Sequence, residues 1–290
     1  MKRFLVRILV ACLGLTLVNV CLYTHRKEDA DQYLKDLNKE FWHKTFVFAD
    51  SHGNCLKRDA ATFGLNSLAY SSDSYKDIRL KLEYLLETGA DIDTVILTVD
   101  PHTLSPYREV SNNYQYSSLL SDKLKTYFPI VNSQYTTTIP MLLERKIKSL
   151  IWNKESSDTK STWADLSELE KDAAINRRLK SQFPSNELSS DLRNDLINIV
   201  DICKEEGIIL YGIRFPLVYQ YSTLVQEKDY GALKICINNG IPILDYQNIS
   251  LADSFYSDQD HLNFSGGYEL LKLIKRDLLN PTIISADGSY

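Results

Sequence analysis

The sequence contains little glycine, proline, histidine or cysteine for its length. Its 290 residues include 11 Gly, 8 Pro, 5 His and 5 Cys. So little glycine and proline excludes a collagen-like, low-complexity or linker-dominated chain. The odd number of cysteines fixes no disulfide framework, and the sequence leaves open whether any two of Cys55, Cys203 and Cys236 pair. We therefore expect a globular protein whose core needs no covalent cross-links.

The chain also lacks an excess of positive charge. Its 33 basic and 38 acidic residues give a net charge of −5, which argues against nucleic-acid binding, because nucleic-acid-binding proteins normally show a basic face. Residues 1–27 contain five basic residues and no acidic ones, namely Lys2, Arg3, Arg7, Arg26 and Lys27. Subtracting these five leaves 28 basic against 38 acidic residues, so the body carries a charge of −10. This acidity also disfavours a polyanionic ligand.

The basic N-terminal segment is predicted to be a membrane anchor. Residues 4–23 are apolar except for Arg7, Thr16 and Asn19, and the part of this segment from Ile8 to Tyr23 is 16 residues long and carries no charge. A bilayer-spanning helix needs about 20 residues, and Arg7 can extend the stretch by reaching the interface. We predict an uncleaved signal anchor at 1–27, with a cleaved signal peptide and a lipoprotein signal at Cys12 as alternatives. The distribution of basic residues predicts a cytoplasmic N-terminus and a body outside the cytoplasm, in the periplasm or at the cell surface.

The body alternates short apolar runs with helical patterns. Residues 28–43 are predicted to form a stalk or first helix, and strands are predicted at 45–49, 66–70, 93–99, 207–213 and 241–246. Helices are predicted after Ser74 and at about 187–206, 224–239 and 265–279. This alternation predicts an α/β domain over 44–290, a three-layer α/β/α sandwich with a mostly parallel, flavodoxin-like sheet. The patterns weaken at about 103–186, which predicts an insertion packed on the core.

Polar segments follow the first and last predicted strands. Asp50-Ser-His-Gly-Asn54 follows the first, and Asp258-Gln-Asp-His261 follows the last. Carboxyl ends of parallel strands carry the sites of such sheets. On a sharp turn, the Ser51 hydroxyl would be exposed beside backbone N–H groups, as a nucleophile requires. Asp258 could bind one imidazole nitrogen of His261, and the second imidazole nitrogen would then face Ser51. Taken singly, such a serine is usually a turn former, and an Asp-x-x-His segment is often only a helix cap.

Together these segments resemble the SGNH/GDSL hydrolase superfamily, in which a Gly-Asp-Ser block opens the domain and an Asp-x-x-His block closes it. The form Asp-Ser-His at 50–52 is similar to that of members that acylate or deacylate cell-envelope polysaccharides. The resemblance implies that Ser51 is the nucleophile, His261 the general base and Asp258 its orienting partner. It implies no cofactor and no metal. It also implies an acyl donor, a glycan acceptor and a membrane-bound O-acyltransferase partner.

The sequence departs from the superfamily pattern at the oxyanion hole. The family places a glycine after the second strand and an asparagine after the third, whereas this chain has Ser71-Ser72 and Asp100-Pro-His102. The N–H groups of Ser51 and Ser72 and the side chain of His102 are the predicted substitutes. Asp100 is predicted either to make a structural hydrogen bond or to belong to the site. Asp260 is expected to face solvent, and Asp50 to support the turn.

Two other functions remain compatible with the sequence. Without the expected oxyanion residues, the domain could be a catalytically degenerate scaffold in envelope polysaccharide assembly. The segment 50–54 also resembles the opening Asp-x-His-Gly motif of calcineurin-like metallophosphoesterases. Two-metal chemistry needs several further ligands, and a chain with five histidines and no Gly-Asn-His segment supplies few of them.

Overall fold

A computed structural model of the chain describes residues 3–4, 6–10, 13–14, 16–17, 31–37, 40–121 and 162–279. The chain divides into two compact units, one of residues 1–39 and 115–159 and one of residues 40–114 and 160–290. Much of the predicted anchor lies outside the described residues, and its described positions are helical. No helix in the described part of the chain is long and apolar enough to cross a membrane. The membrane helix predicted at 1–27 is thus not found there and stays a prediction.

The first unit is described only in part. Residues 31–34, inside the predicted stalk, are helical. The ring of Tyr33 lies against that of Tyr116, with 5.6 Å between their centroids. Residues 122–161, which form the middle of the predicted insertion, lie outside the described residues.

The second unit is built on a five-stranded sheet in which all neighbouring strands are parallel. The order β2-β1-β3-β4-β5 is the one found in flavodoxin-like folds. The predicted α/β class and parallel sheet are therefore confirmed. Each strand falls within or close to its predicted range: β1 (Thr45–Phe48), β2 (Leu65–Ser67), β3 (Thr94–Thr98), β4 (Ile209–Arg214) and β5 (Ile243–Asp245).

Helices connect the strands. In chain order the described α-helices are α1 (Tyr75–Glu87), α2 (Tyr107–Val110), α3 (Tyr114–Ser121), α4 (Glu168–Gln182), α5 (Ser190–Glu205), α6 (Tyr219–Val225), α7 (Ala232–Asn238) and α8 (Phe264–Leu279). The prediction of a single helix at 224–239 was wrong. The chain forms α6 and α7 there, because Gly231 between them has a φ of 94°, a left-handed conformation that no helix can continue through.

Apolar residues cover both faces of the sheet. Val47, Ile96, Ile213 and Leu244 belong to one buried cluster, which α8 joins through Leu270, Leu271 and Ile274. Side chains alternate along a strand, so Phe46, Phe48, Val95 and Leu97, all fully buried, point to the opposite face. There α1 and α5 pack against each other, and α5 also contacts β4. The sheet edge formed by the carboxyl ends of the strands is thereby held from both sides.

Two glycines bring the segments of this edge together. After β1 the chain turns directly into a 3-10 helix, Ser51–Leu56. At Gly53 a Cβ atom would lie 2.6 Å from the Cβ of Ala49, so this helix can pack on the strand end only with glycine there. At Gly267 in α8 a Cβ atom would collide with the backbone oxygen of Cys55. Helix α8 therefore rests directly on the 3-10 helix that begins with Ser51.

Candidate active site

Ser51 is held at the start of a closed turn. It is the first residue of the 3-10 helix, and the preceding Asp50 caps that helix by accepting a hydrogen bond from the His52 N–H at 2.9 Å. This confirms the predicted role of Asp50 in the turn. Because the serine follows a buried strand and precedes a tight helix, its hydroxyl is fixed at the rim of the sheet, where a nucleophile is accessible.

The loop that carries His261 is also closed on itself. The Ser257 N–H donates to the His261 carbonyl at 2.8 Å. One carboxylate oxygen of Asp258 accepts from the N–H groups of Asp260 at 3.1 Å and His261 at 2.9 Å. Asp258 therefore both shapes the loop and faces the imidazole, so the base and its partner are carried on one rigid segment.

The three predicted catalytic residues come together. His261 Nε2 lies 2.8 Å from Ser51 Oγ, and His261 Nδ1 lies 2.8 and 3.0 Å from the two carboxylate oxygens of Asp258. Ser51 and His261 are 210 positions apart in the chain, so the fold and not local sequence creates this contact. With Asp258 accepting from Nδ1–H, Nε2 is free to accept the Ser51 proton, which is the geometry of a Ser-His-Asp triad.

A second carboxylate also faces His261. Asp260, which was predicted to face solvent, is only 1% exposed, and its Oδ1 lies 3.3 Å from His261 Nδ1. The prediction was wrong because the carboxylate is surrounded by donors, and buried carboxylates persist when their oxygens are hydrogen-bonded. Its partners are Arg178 Nε at 3.0 Å, Gln182 Nε2 at 3.0 Å, Gln259 Nε2 at 2.7 Å and His52 Nε2 at 3.3 Å.

These contacts change the protonation of His261. Burial by itself lowers the pKa of His261, but the charge of Asp260 and the hydrogen bonds to Asp258 and Asp260 outweigh it and raise the pKa to about 9. Burial likewise raises the pKa of Asp260, but the charge of His261, its hydrogen bond and that of His52 lower the pKa well below its usual value. Asp260 is therefore a permanent negative charge beside the candidate base.

A buried ionic network lies beneath Ser51. His52 Nδ1 donates to Asp100 at 2.7 Å, while Nε2 faces Asp260. Burial lowers the pKa of His52, yet the charges of Asp50 and Asp100 raise it well above its ordinary value. Asp100 also accepts from the Phe215 N–H at 2.8 Å. Asp100 therefore tethers β3, the 3-10 helix and the end of β4 to one another, and it does not reach the cleft beside Ser51.

His102 does not occupy the predicted oxyanion position. Its Nε2 donates to Asp50 at 2.9 Å, and its ring is buried with only 3% of the residue exposed. Burial lowers the pKa of His102 more than Asp50 raises it, so the ring is neutral and its Nε2–H serves Asp50. The Asp50 carboxylate also pairs with Arg108 at 3.1 Å. Because His102 binds this carboxylate, its side chain does not line the cleft.

Three other groups are the remaining candidates for binding an oxyanion, namely the N–H groups of Ser51 and Ser72 and the side chain of Asn54; Ser51, Asn54 and Ser71, the neighbour of Ser72, line the cleft. Ser72 has a φ of 72°, the only non-glycine residue with positive φ among those described, and this is the conformation that favours glycine. Neither the Ser51 nor the Ser72 N–H donates to a backbone acceptor within the described residues. Asn54 is three residues after Ser51 in the 3-10 helix, where side chains three apart share a face. Its amide donates to Ser71 Oγ at 2.7 Å.

The triad opens into a cleft of about 440 Å³. Cys55 in its wall is buried, which raises the pKa of this thiol to about 12, so Ser51 has no competing thiolate nucleophile at neutral pH. The lining residues are Ser51, Asn54, Cys55, Ser71, Ser257, Asp258, His261, Leu262, Asn263 and Phe264.

In the described part of the chain, two groups of histidine and aspartate side chains have the spacing of metal ligands. Asp50, His52 and His102 lie close together, as do His52, Asp260 and His261. However, Arg108 lies 3.1 Å from the Asp50 carboxylate and Arg178 lies 3.0 Å from that of Asp260. These guanidinium groups already neutralise the carboxylates and would repel a divalent cation. Both ring nitrogens of His52 and His261, and Nε2 of His102, also already contact carboxylates or Ser51.

Sequence reasoning missed the contribution of α4. Arg178 and Gln182 reach the site from the predicted insertion, in a part whose charged residues indicate a helix, and no motif marks them as site residues. Asn54 did have a signal, because it belongs to the same Asp-Ser-His-Gly-Asn segment as Ser51. In comparisons with known proteins, no family model matches the chain and no curated protein shows a significant match. The geometry of the site is therefore the basis for assigning a function.

Proposed function

We propose that the protein is an SGNH-like serine enzyme that transfers or removes acyl groups, O-acetyl groups in particular, on a cell-envelope or exopolysaccharide glycan. The observation that carries this proposal is the continuous chain from Ser51 Oγ through His261 to Asp258, with both hydrogen bonds at 2.8 Å. These three groups are the ones that acyl transfer by covalent catalysis requires.

The reaction would begin when Ser51 Oγ attacks the acyl carbonyl carbon and passes its proton to His261 Nε2. The carbonyl oxygen becomes an oxyanion, for which the N–H groups of Ser51 and Ser72 and the amide of Asn54 are the candidate donors. When the intermediate collapses, His261 returns the proton to the leaving alcohol and the acyl group stays on Ser51. A glycan hydroxyl or a water molecule, deprotonated by His261, then attacks the acyl-enzyme. Transferase and esterase thus use the same residues and differ in how well water is excluded.

The aromatic residues beside the cleft support a sugar as the substrate. Phe264 lines the cleft and is 49% exposed, and Tyr268 lies one turn further along α8 with 43% exposed. Phe63 contacts Tyr268 edge to face, with 5.4 Å between the ring centroids. Exposed aromatic rings in a row can stack against the C–H faces of successive sugar rings.

The proposed location is outside the cytoplasm, with residues 1–27 as the membrane anchor. The charge-free stretch and the basic residues before it support this location. An anchored acyl-transfer domain could receive acyl groups from a membrane-bound O-acyltransferase, and this partner is part of the proposal.

Ser51→Ala tests the proposed chemistry. We expect the wild-type protein to hydrolyse a small acetyl ester and to react with a fluorophosphonate probe, and we expect Ser51→Ala to lose both by about 10⁴-fold or more, since loss of a nucleophile removes the covalent route. Ser118→Ala, a serine change in α3, is the matched control. If the wild type acts on no acyl ester or acetylated glycan, or if Ser51→Ala is as active as the wild type, the enzyme proposal is wrong.

The catalytically degenerate scaffold is the second candidate. It is favoured by the absence of the expected glycine and asparagine at the oxyanion positions, where the chain has Ser72 and Asp100. A folded protein that binds an envelope glycan but neither turns over esters nor reacts with the probe would support it. The third possibility, a metal-dependent phosphoesterase, would require metal-stimulated activity on phosphodiesters. The guanidinium groups on Asp50 and Asp260 count against it.

A further inference from the structure

We infer that Asp260 and Arg178 form a positioning pair for His261, so that helix α4 of the insertion is a working part of the active site. This inference rests on the proposed function for its catalytic consequence. The Ser-His-Asp triad assigns roles only to Ser51, His261 and Asp258. Asp260 and Arg178 add a second carboxylate and a guanidinium group at the same imidazole nitrogen.

The two carboxylates that face His261 Nδ1 differ in their exposure to solvent. Asp258 contacts His261 Nδ1 at 2.8 Å, but 40% of its side chain is exposed to solvent. Asp260 lies slightly farther away, at 3.3 Å, and its side chain is completely buried. Water screens the charge of Asp258, whereas the field of Asp260 acts through protein. Asp260 therefore exerts the stronger electrostatic hold on the imidazolium that forms when His261 accepts the serine proton.

Donors from several elements fix the position of the Asp260 carboxylate. Arg178 and Gln182, one turn apart in α4, both donate to its carboxylate, and the side-chain oxygen Oε1 of Gln182 in turn accepts a hydrogen bond from the Tyr221 hydroxyl at 2.5 Å. His52 approaches from the 3-10 helix. A carboxylate with this many donors from different elements has one orientation, so it can fix the plane of the His261 ring.

Arg178 lies close to the imidazole and to both carboxylates. Its Nη2 lies 3.3 Å from His261 Nδ1 and 3.7 Å from the Asp258 carboxylate, while its Nε binds Asp260. One planar group therefore spans both carboxylates. The charged groups that face His261 are then Asp258 and Asp260 from its own loop, Arg178 from α4 and His52 from the 3-10 helix. Two negative and two positive groups are balanced around one base.

This balance predicts opposite effects from two substitutions. Asp260→Asn removes a negative charge next to the imidazole, so the acidic limb of the rate profile should move down by about one to three pH units. Arg178→Gln removes a positive charge and should move it up. Both should lower kcat at the new optimum with little change in KM, because neither side chain lines the cleft. Arg178→Lys should restore the position of the limb but not the full kcat, because Lys cannot span both carboxylates.

Lys171→Gln is the matched control. Lys171 lies two turns before Arg178 in α4 and docks the helix through Asp253 at 2.9 Å, without touching His261. If α4 matters only for stability, Lys171→Gln and Arg178→Gln will lower the melting temperature alike and leave the rate profile in place. That result, or a shift of the two profiles in the same direction, would overturn the inference.

A readout independent of activity separates this inference from the proposed function. The titration of the His261 ring is followed by nitrogen NMR in Ser51→Ala and again in that background with Asp260→Asn or Arg178→Gln. Opposite shifts of the His261 titration support the positioning pair even if no acyl ester is turned over, in which case only the proposed function fails. Unchanged titration in folded variants contradicts the pair whatever the activity is.

Discussion

At the scale of single residues, His261 is the group on which the site depends. It contacts Ser51 on one side and two carboxylates on the other. The stronger the carboxylates hold the protonated ring, the easier the serine proton is to remove, but the smaller is the fraction of neutral base at neutral pH. With its pKa raised to about 9, His261 is therefore mostly protonated at neutral pH.

This adjustment predicts alkaline activity. Only neutral His261 can accept the Ser51 proton, so kcat/KM should rise about tenfold per pH unit from neutral pH and level off above the raised pKa of about 9. The measurement is kcat/KM on a small acetyl ester from neutral to alkaline pH. The rate with Ser51→Ala at each pH serves as the correction for spontaneous hydrolysis. A plateau already reached near the ordinary histidine pKa would contradict this assignment.

Local motifs in the sequence were enough to predict which three residues lie together in the candidate site. Ser51, Asp258 and His261 follow strand ends in recognisable motifs, and all three meet in the structure. The environment of Asp260 could not be predicted, because its donors Arg178 and Gln182 lie 82 and 78 positions away. His102 was misassigned for a related reason. A sequence shows that a histidine follows β3, but it does not show that the Asp50 carboxylate binds it.

At the scale of elements, the site depends on the contact between α8 and the 3-10 helix. The 3-10 helix begins with Ser51, and α8 follows the loop that carries His261. Their approach requires glycine at position 267, because a side chain there would meet the backbone of Cys55. The backbone cannot rotate away as a side chain can, so the two elements would have to separate.

Gly267→Ala should therefore destabilise the protein. Alanine improves helix propensity by about 0.5–1 kcal/mol, but overpacking costs about 1–3 kcal/mol, so we expect a net loss of stability and a larger loss of activity as Ser51 and His261 move apart. Thermal unfolding and ester turnover measure the two effects. Ser265→Ala, at an exposed position of the same helix, is the control. A Gly267→Ala variant as stable and as active as the Ser265→Ala variant would contradict this packing.

Element positions were predictable where capping and periodicity agree. Helix α1 begins after Ser74 as predicted, with a capping box between Ser74 and Asp77, and it ends before Gly89, whose φ is 82°. The split between α6 and α7 was not predicted, because apolar residues recur across both at helical spacing. The left-handed backbone of Gly231 is a single-residue feature that this periodicity conceals.

At the scale of the whole molecule, the charge distribution divides the chain into a basic segment of +5 and an acidic body of −10. We expect the full-length protein to sediment with membranes and its body to be digested by protease added outside intact spheroplasts. A variant that begins at residue 28 should be recovered free of membranes. A marker protein known to be cytoplasmic, protected in the same spheroplasts, is the control. A protected body in intact spheroplasts would contradict the proposed orientation.

The parallel sheet was predictable because its strands are continuous apolar runs separated by helical segments. The part played by the region 103–186 was not, since residues such as Arg178 contact a loop that lies 82 positions further along the chain. Local propensity and periodicity do not predict contacts between residues so far apart in the sequence.

The burial of Asp260 by α4 has a consequence for the order of folding. A chain whose sheet has formed but whose α4 has not yet docked would expose this carboxylate to water and leave His261 loosely held. Such an intermediate would have nearly all of the native strands and little of the native reactivity. If the proposed activity is present, its recovery after dilution from denaturant would then follow the docking of α4 and not the assembly of the sheet.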